Sequence, residues 1–335
     1  MEHRKLTRYL ISLVMILIMV GLAEWTNEKE ILFPEMTALI IGLLIIDKRV
    51  WNVKRWQIIL LMTLGAVAGI CIVRYSPLPY VVNLCAAFVF AGASLLISRA
   101  TLIPLISACV LPVLLHTESI VYPIAVFSMS VSVVLVQIIL EKCGIRKRMP
   151  KPVDRKPGKE DIIRWLILFC FVGALAELAV GMDYPYLILP PLMVTFVEMV
   201  NSKAGFRNRP TQVFLFLTTA ATLGTVLQIV GHHHLHLPEN IVALTIAAIL
   251  LLIFEWTGKF FAPAGALAFI PMLLPQEGLA WLPLEASIGA ALFITIAMVV
   301  FQKCYKWNRA QLIFCATPTL LREYMNRKKR KKQIE

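Results

Sequence analysis

FFAPAGALAFIPMLL, residues 260–274, is uncharged and apolar over fifteen positions, with Pro263 near its start and Pro271 further on. The stretch TLIPLISACVLPVLL, residues 101–115, repeats the device: Pro104 and Pro112 recur as Pro263 and Pro271, and Glu118 recurs as Glu277, all at an offset of 159 residues. Two further short stretches, 32–46 and 186–200, carry Pro34 and Pro190-Pro191 near their starts. A helix of fifteen residues rises about 22 Å, short of the roughly 30 Å hydrocarbon core of a bilayer. The prolines stand where a missing N–H costs least, in the first turn of a helix. These four segments are therefore expected to be helices that begin part-way into a membrane or are discontinuous.

The rest of the chain sets that membrane context. Its 335 residues are 59% hydrophobic and 16% charged, an apolar excess no single soluble core can cover. Longer apolar segments lie near 9–25, 57–73, 80–98, 119–140, 163–181, 211–230, 239–257 and 284–301. The basic N-terminus followed by Tyr9 to Ala23 has the outline of a signal peptide without a small-residue cleavage site, and reads as a first span. With the four short segments the expectation is an all-α polytopic membrane protein of about twelve transmembrane helices.

Charge fixes the orientation. With the N-terminus inside, only Lys29 and Arg74 of the 33 Lys and Arg residues fall on outer loops, and both termini are cytoplasmic, as the positive-inside rule requires. A bacterial-type plasma membrane is the expected location. The net charge of +13 resembles that of a nucleic-acid binder, but basic juxtamembrane segments that orient the chain and attract anionic lipid explain it without nucleic acid. The chain divides into a first six-span repeat at 1–141, a basic cytoplasmic linker at 142–162, a second six-span repeat at 163–302 and a basic cytoplasmic tail at 303–335. Six spans is an even number, so the two homologous halves share one orientation. Within each half, a long, a short and a long span occur twice as an inverted 3+3 repeat. The seven cysteines, with no close-spaced pair, read as packing residues. The sequence is compatible with a homo-oligomer.

Function follows from the short helices. A helix N-terminus inside a protein carries unpaired N–H groups and partial positive charge, which suits an anion. The substrate-binding candidates are Pro34, Thr37, Thr101, Pro104, Ser107, Pro191, Thr195, Pro263, Ala264 and Gly265. The prolines mark helix starts, the hydroxyls are donors, and Gly265 permits close backbone approach. Glu24, Glu35, Glu177, Glu198 and Glu255, in or beside apolar stretches, are candidates for proton coupling. Arg99 and Lys259 attract an anion or anchor the interface. His232, His233, His234 and His236 read as a solvated loop, without the cysteine or acid spacing of a metal site. No catalytic residue, cofactor site or metal site is expected, and no phosphate loop or nucleophile elbow occurs.

The region Trp256 to Leu274, and more weakly Leu95 to Leu115, resembles the HPP-motif membrane protein family, whose signature runs His-Pro-Pro-Ala-Gly-Ala. Here Phe261-Ala262-Pro263-Ala264-Gly265-Ala266 keeps the second proline and Ala-Gly-Ala but not the histidine or first proline. Pro34-Glu35-Met36-Thr37-Ala38, with the loop Asp47 to Arg55, resembles the family's earlier hairpin. The resemblance implies a permease for a small anion such as nitrite, which agrees with the helix-terminus reading: a secondary transporter of a small anionic solute working by alternating access. The rival readings are a membrane enzyme or assembly factor acting on lipid-linked substrates, and a non-transporting scaffold.

Overall fold

The computed structural model describes residues 2–154, 156–201 and 209–305; most of the basic tail, including Cys315, lies outside the described residues. Among the described residues there are helices and no strands. Eight helical segments, beginning at His3, Arg55, Tyr80, Val121, Lys159, Pro210, Glu239 and Leu279, are long and apolar enough to cross a membrane. They mark the chain as an integral membrane protein. On α1 (Glu2–Thr26) the residues Leu6, Leu10, Val14, Ile18 and Leu22 form an exposed stripe at every fourth position, while Ser12, Met15, Met19 and Ala23 face inward. An apolar stripe left uncovered on a helix otherwise packed into a core is what lipid solvates.

The remaining long helices are α3 (Arg55–Tyr75), α4 (Tyr80–Ser98), α6 (Val121–Lys142), α7 (Lys159–Gly181), α9 (Pro210–Val226), α10 (Glu239–Thr257) and α12 (Leu282–Tyr305). Between them come four short ones. They are α2 (Glu35–Ile40, continued by a π-helical stretch Ile41–Ile45), α5 (Leu105–Leu115), α8 (Pro190–Asn201) and α11 (Ala262–Phe269). Every residue of α2 and α11 is buried, as are Leu105–Val113 of α5 and Pro190–Val200 of α8. The short helices form the core and the long ones surround it.

Packing recurs with an offset of six helices. Helix α3 packs on α5 and α6, and α9 packs on α11 and α12; α2 meets α11, and α5 meets α8; α1 meets α10, and α4 meets α7. The same close approach closes both long–short pairs. A methyl group on Gly69 of α3 would stand 2.4 Å from the Cys109 carbonyl oxygen and 3.0 Å from Pro112 Cγ. On Gly224 of α9 it would stand 2.2 Å from the Ala268 carbonyl oxygen and 3.1 Å from Pro271 Cγ. Only glycine lets the backbones come this near. Pro112 cannot donate to the Ala108 carbonyl one turn earlier, and the Tyr122 hydroxyl donates to it instead at 3.1 Å.

The loops close one end of the bundle with charge. Arg8 pairs with Asp47 and donates to the Ile45 carbonyl at 3.0 Å, while Arg146 donates to the Ile46 carbonyl at 2.7 Å and to Glu141 at 3.3 Å. Two guanidinium groups thus satisfy the carbonyls at the end of the α2 segment. Expected as a divider, the linker is also a packed element: Asn52 bonds both ways with Val153, Arg49 donates to the Pro150 carbonyl, and Arg99 pairs with Asp154. Arg8 holds the Asp47 carboxyl below its ordinary value. The stabilisation is therefore present above the ordinary aspartate range and lost as pH falls through the lower folded value. Asp47 is largely exposed, so Asp47→Asn should lower the thermal midpoint of the purified protein at neutral pH by the equivalent of less than about 1 kcal/mol. The difference should vanish in acid, and a difference independent of pH would refute the assignment.

At the opposite end the expected histidine loop is helical. His232–His234 belong to a π-helical continuation of α9, Leu227–His234, where His232 and His233 are half-buried and His232 Nδ1 lies 3.0 Å from the Leu237 carbonyl oxygen. The apolar periodicity of α9 carries the helix past its hydrophobic stretch.

Candidate functional site

The starts of the short helices converge. Glu35 and Ala38 of α2, Pro104 and Ser107 at α5, Pro191, Val194 and Glu198 of α8, and Ala262, Pro263 and Ala266 of α11 surround one central cavity of about 10 Å³. That is room for about one water molecule. Pro34 and Pro104 occupy the N-cap positions of α2 and α5, and Pro191 and Pro263 fall in the first turns of α8 and α11. The prolines start these helices where φ near −65° is already helical.

The helix starts offer fewer free donors than expected. In α2 the Met36 and Thr37 amides donate to Phe33 and Pro34 carbonyls at 2.9 and 3.0 Å; in α5 those of Leu105 and Ile106 donate to Leu102 and Ile103 at 3.1 and 3.0 Å. In α8 Leu192 and Met193 both donate to the Leu189 carbonyl. Tight turns at the starts of α2, α5 and α8 absorb amides that were expected to bind a ligand, leaving the dipoles.

What faces the cavity instead is oxygen. Glu35 is 1% exposed with no cation paired to it, and the equally buried Ser107 hydroxyl is its side-chain hydrogen-bonding neighbour. Glu198, 6% exposed, accepts from Trp51 Nε1 at 3.2 Å. Glu198 also lines a second, far larger cavity of about 650 Å³ at the end of the bundle that carries the charged loops. This vestibule is walled by Lys48, Arg49, Arg209 and Lys259 around apolar Ile46, Val213 and Phe260. Burial, then Arg209, then Lys48 push the Lys259 ammonium below its ordinary value, and burial followed by Arg55 does the same to Arg49. Crowded cations in a partly dry cleft focus a positive potential that draws anions. Trp51 and Glu198 stand between vestibule and central cavity.

The other candidates are placed elsewhere. Thr101 lies in the loop before α5, where its hydroxyl accepts from the Asn52 amide at 2.7 Å and its own amide donates to the Asn52 carbonyl at 3.1 Å; it lines the vestibule, not the centre. The Thr195 hydroxyl is spent on the Pro191 carbonyl at 2.8 Å within its own helix. Thr37 is buried with an unpartnered hydroxyl but lines a separate small cavity against Ser12 and Ala247. Gly265 brings α11 onto α2: a methyl there would stand 2.4 Å from Ile41 Cδ1 and 3.2 Å from Thr37 Cγ2. Ala264 is buried beside it without lining the central cavity.

Of the acids, Glu24 is exposed and accepts from the amides of Glu239 and Asn240 at 3.2 and 3.3 Å, capping α10. Glu255 pairs with Lys5 and accepts from Tyr9, and Glu177 is exposed on α7. Glu35 and Glu198 alone among the five reach the cavity. Trp51 and Arg209 were not expected at the site. A signal for Trp51 was present in Gly42, the one small residue in the run Leu39 to Ile46, because the Trp51 ring occupies the place a side chain there would fill, 2.4 Å from an added methyl.

No family model matches the chain, and neither a curated protein nor a solved structure is found similar to it.

Proposed function

We propose that the protein is a secondary transporter for a small anionic solute, working by alternating access in a bacterial-type plasma membrane. The observation that carries this reading is the convergence of all four short helices on one occluded cavity, with a basic vestibule adjoining it at one end. Broken or short helices meeting at mid-depth are how transporters build a site inside a membrane. In this reading the chain crosses twelve times with both termini cytoplasmic, and the vestibule faces the cytoplasm. The two six-helix halves are copies of one unit. The recurring packing pairs and the matched approaches at Gly69 and Gly224 support that duplication. Resemblance to the HPP motif at Phe261 to Ala266 adds nitrite to the anions worth testing.

The test is uptake of radiolabelled or fluorescently reported nitrite, nitrate, formate and acetate by proteoliposomes of purified protein. Saturable flux of at least one of them is expected, and flux no greater than in protein-free vesicles for every anion would overturn the proposal. The vestibule supplies a further expected result. Neutralising Arg209 and Lys259 together, to Gln, removes two charges each worth about 0.5–1 kcal/mol at a screened, partly buried site, so KM should rise roughly five- to thirty-fold with little change in kcat. An unchanged KM measured on the vestibule side would remove these residues from anion capture.

A further inference from the structure

The proposed transporter handles an anion, yet two of the three polar side chains lining its centre, Glu35 of α2 and Glu198 of α8, are carboxyls, the third being Ser107. We propose that Glu198 and Glu35 form a two-station proton site, and that the proton is the co-transported ion that admits the anion to the central cavity. This rests on the transport reading and names its coupling ion.

The geometry argues as follows. Glu198 lines both the vestibule and the central cavity, so it exchanges protons with the solvent of one side and faces Glu35 through the cavity. Glu35, wholly buried with no cation beside it and only the Ser107 hydroxyl as a side-chain hydrogen-bonding neighbour, faces only the centre, where about one water fits to carry a proton between the two. The remaining lining is Ala38, Pro104, Pro191, Val194, Ala262, Pro263 and Ala266, with Ser107 the one hydroxyl. The side chains of this lining, Glu35, Glu198 and Ser107, carry fewer oxygens than the roughly six to eight that a calcium ion takes, whereas a proton needs one. An unpaired carboxylate buried in such a lining is costly, so proton uptake and charge are tied to access.

The charged and titratable groups around the pair are few. Around Glu198 stand Lys48, Arg49, Arg209 and Lys259 of the vestibule with the Trp51 indole; beside Glu35 stand Ser107 of α5 and Tyr122 of α6, with Cys109 next to Tyr122. An anion drawn in by the vestibule cations meets two carboxyls before it reaches the helix dipoles. Ionised, they repel it; protonated, they are neutral and donate hydrogen bonds. Each anion that passes therefore takes at least one proton in the same direction, entering as H⁺ on a carboxyl and leaving to the far side.

The experiment uses full-length protein in liposomes with a pH-sensitive dye inside and the nitrite and formate probes outside. An imposed gradient of one pH unit, outside acidic, should drive up to roughly tenfold accumulation per proton, with internal acidification that begins on anion addition. Glu198→Gln and Glu35→Gln should each abolish accumulation, Glu198→Asp should restore part of it, and Glu177→Gln on the bundle surface should leave it intact. Flux of equal size with and without the gradient, or accumulation retained in Glu198→Gln, would overturn the proton assignment while leaving transport standing. Absence of any anion flux would instead strike the transport reading. Infrared titration then decides the proton site: a carboxylic-acid carbonyl band that changes with pH and is missing in Glu198→Gln and Glu35→Gln supports it, and an identical spectrum in both variants sinks it.

Discussion

Truncating Arg146 to alanine is expected to destabilise the folded protein by about 3 kcal/mol, the low end of the penalty for breaking a buried ion pair, because Arg55 still pairs with Glu141. The Arg146 guanidinium is fully buried and Glu141 nearly so. Burial pushes Arg146 down to about 10, and Glu141, set against that burial, is the main group holding its charge in place. Removing the arginine leaves Glu141 with the half-exposed Arg55 and the Gln137 amide, and takes a donor from the Ile46 carbonyl. At roughly 2–4 °C per kcal/mol, the thermal midpoint of the detergent-solubilised protein should fall by some 5–15 °C. Replacing Glu141 and Arg146 together by methionine should recover most of this loss, because neither buried charge is then orphaned. A midpoint that barely moves in the single variant would show that the linker is not part of the folded core.

The second large effect lies at the crossing of α9 and α11. Gly224→Val must force an added methyl group away from the Ala268 carbonyl oxygen, 2.2 Å from its ideal place and well inside contact distance, so backbone rather than a flexible side chain has to yield. Overpacking of this kind costs about 1–3 kcal/mol or more. Since α11 also carries Ala262, Pro263 and Ala266 to the central cavity, the displacement should abolish transport as well as lower the midpoint. Gly69→Val at the matching crossing of α3 and α5 should do the same, and Gly181→Val, with nothing within 4 Å, should not. Equal behaviour of Gly224→Val and Gly181→Val in both assays would mean that the short helix is free to shift.

Much of this architecture was legible because the membrane simplifies the code. Helices α4 and α10 run over residues 80–98 and 239–257, the limits their apolar stretches set, since proline stops one end and Arg99 or Gly258 the other. The four short segments were marked by their prolines. Harder to read was what continues a helix beyond its apolar stretch: Glu2 to Arg8 wind onto α1 because Arg8 reaches Asp47, a contact 39 residues away. At the site, proline positions located the cavity, but which side chains line it depends on helix rotation. Gly265 turns to α2 and Ala266 to the cavity, a one-residue difference that only packing decides. Thr195 and Thr101 do not line the central cavity, and each hydroxyl has a backbone partner close by, a local competition that composition does not register. Glu35 and Glu24 look alike as acids beside apolar runs, yet one is buried in the core without a cation and the other caps a helix.

The two cavities differ in size by a large factor, about 650 Å³ against about 10 Å³. Even a triatomic anion cannot occupy the smaller one at rest. Under the proposed transport function, turnover must therefore swell the interior at the meeting point of α2, α5, α8 and α11, parting close-packed atoms that otherwise hold one another by dispersion. The energy barrier of the cycle is then mechanical as much as electrostatic: each passage does work of expansion against the surrounding helices and the lateral squeeze of the lipid. A carrier so built leaks little between cycles, because an empty site collapses behind its cargo.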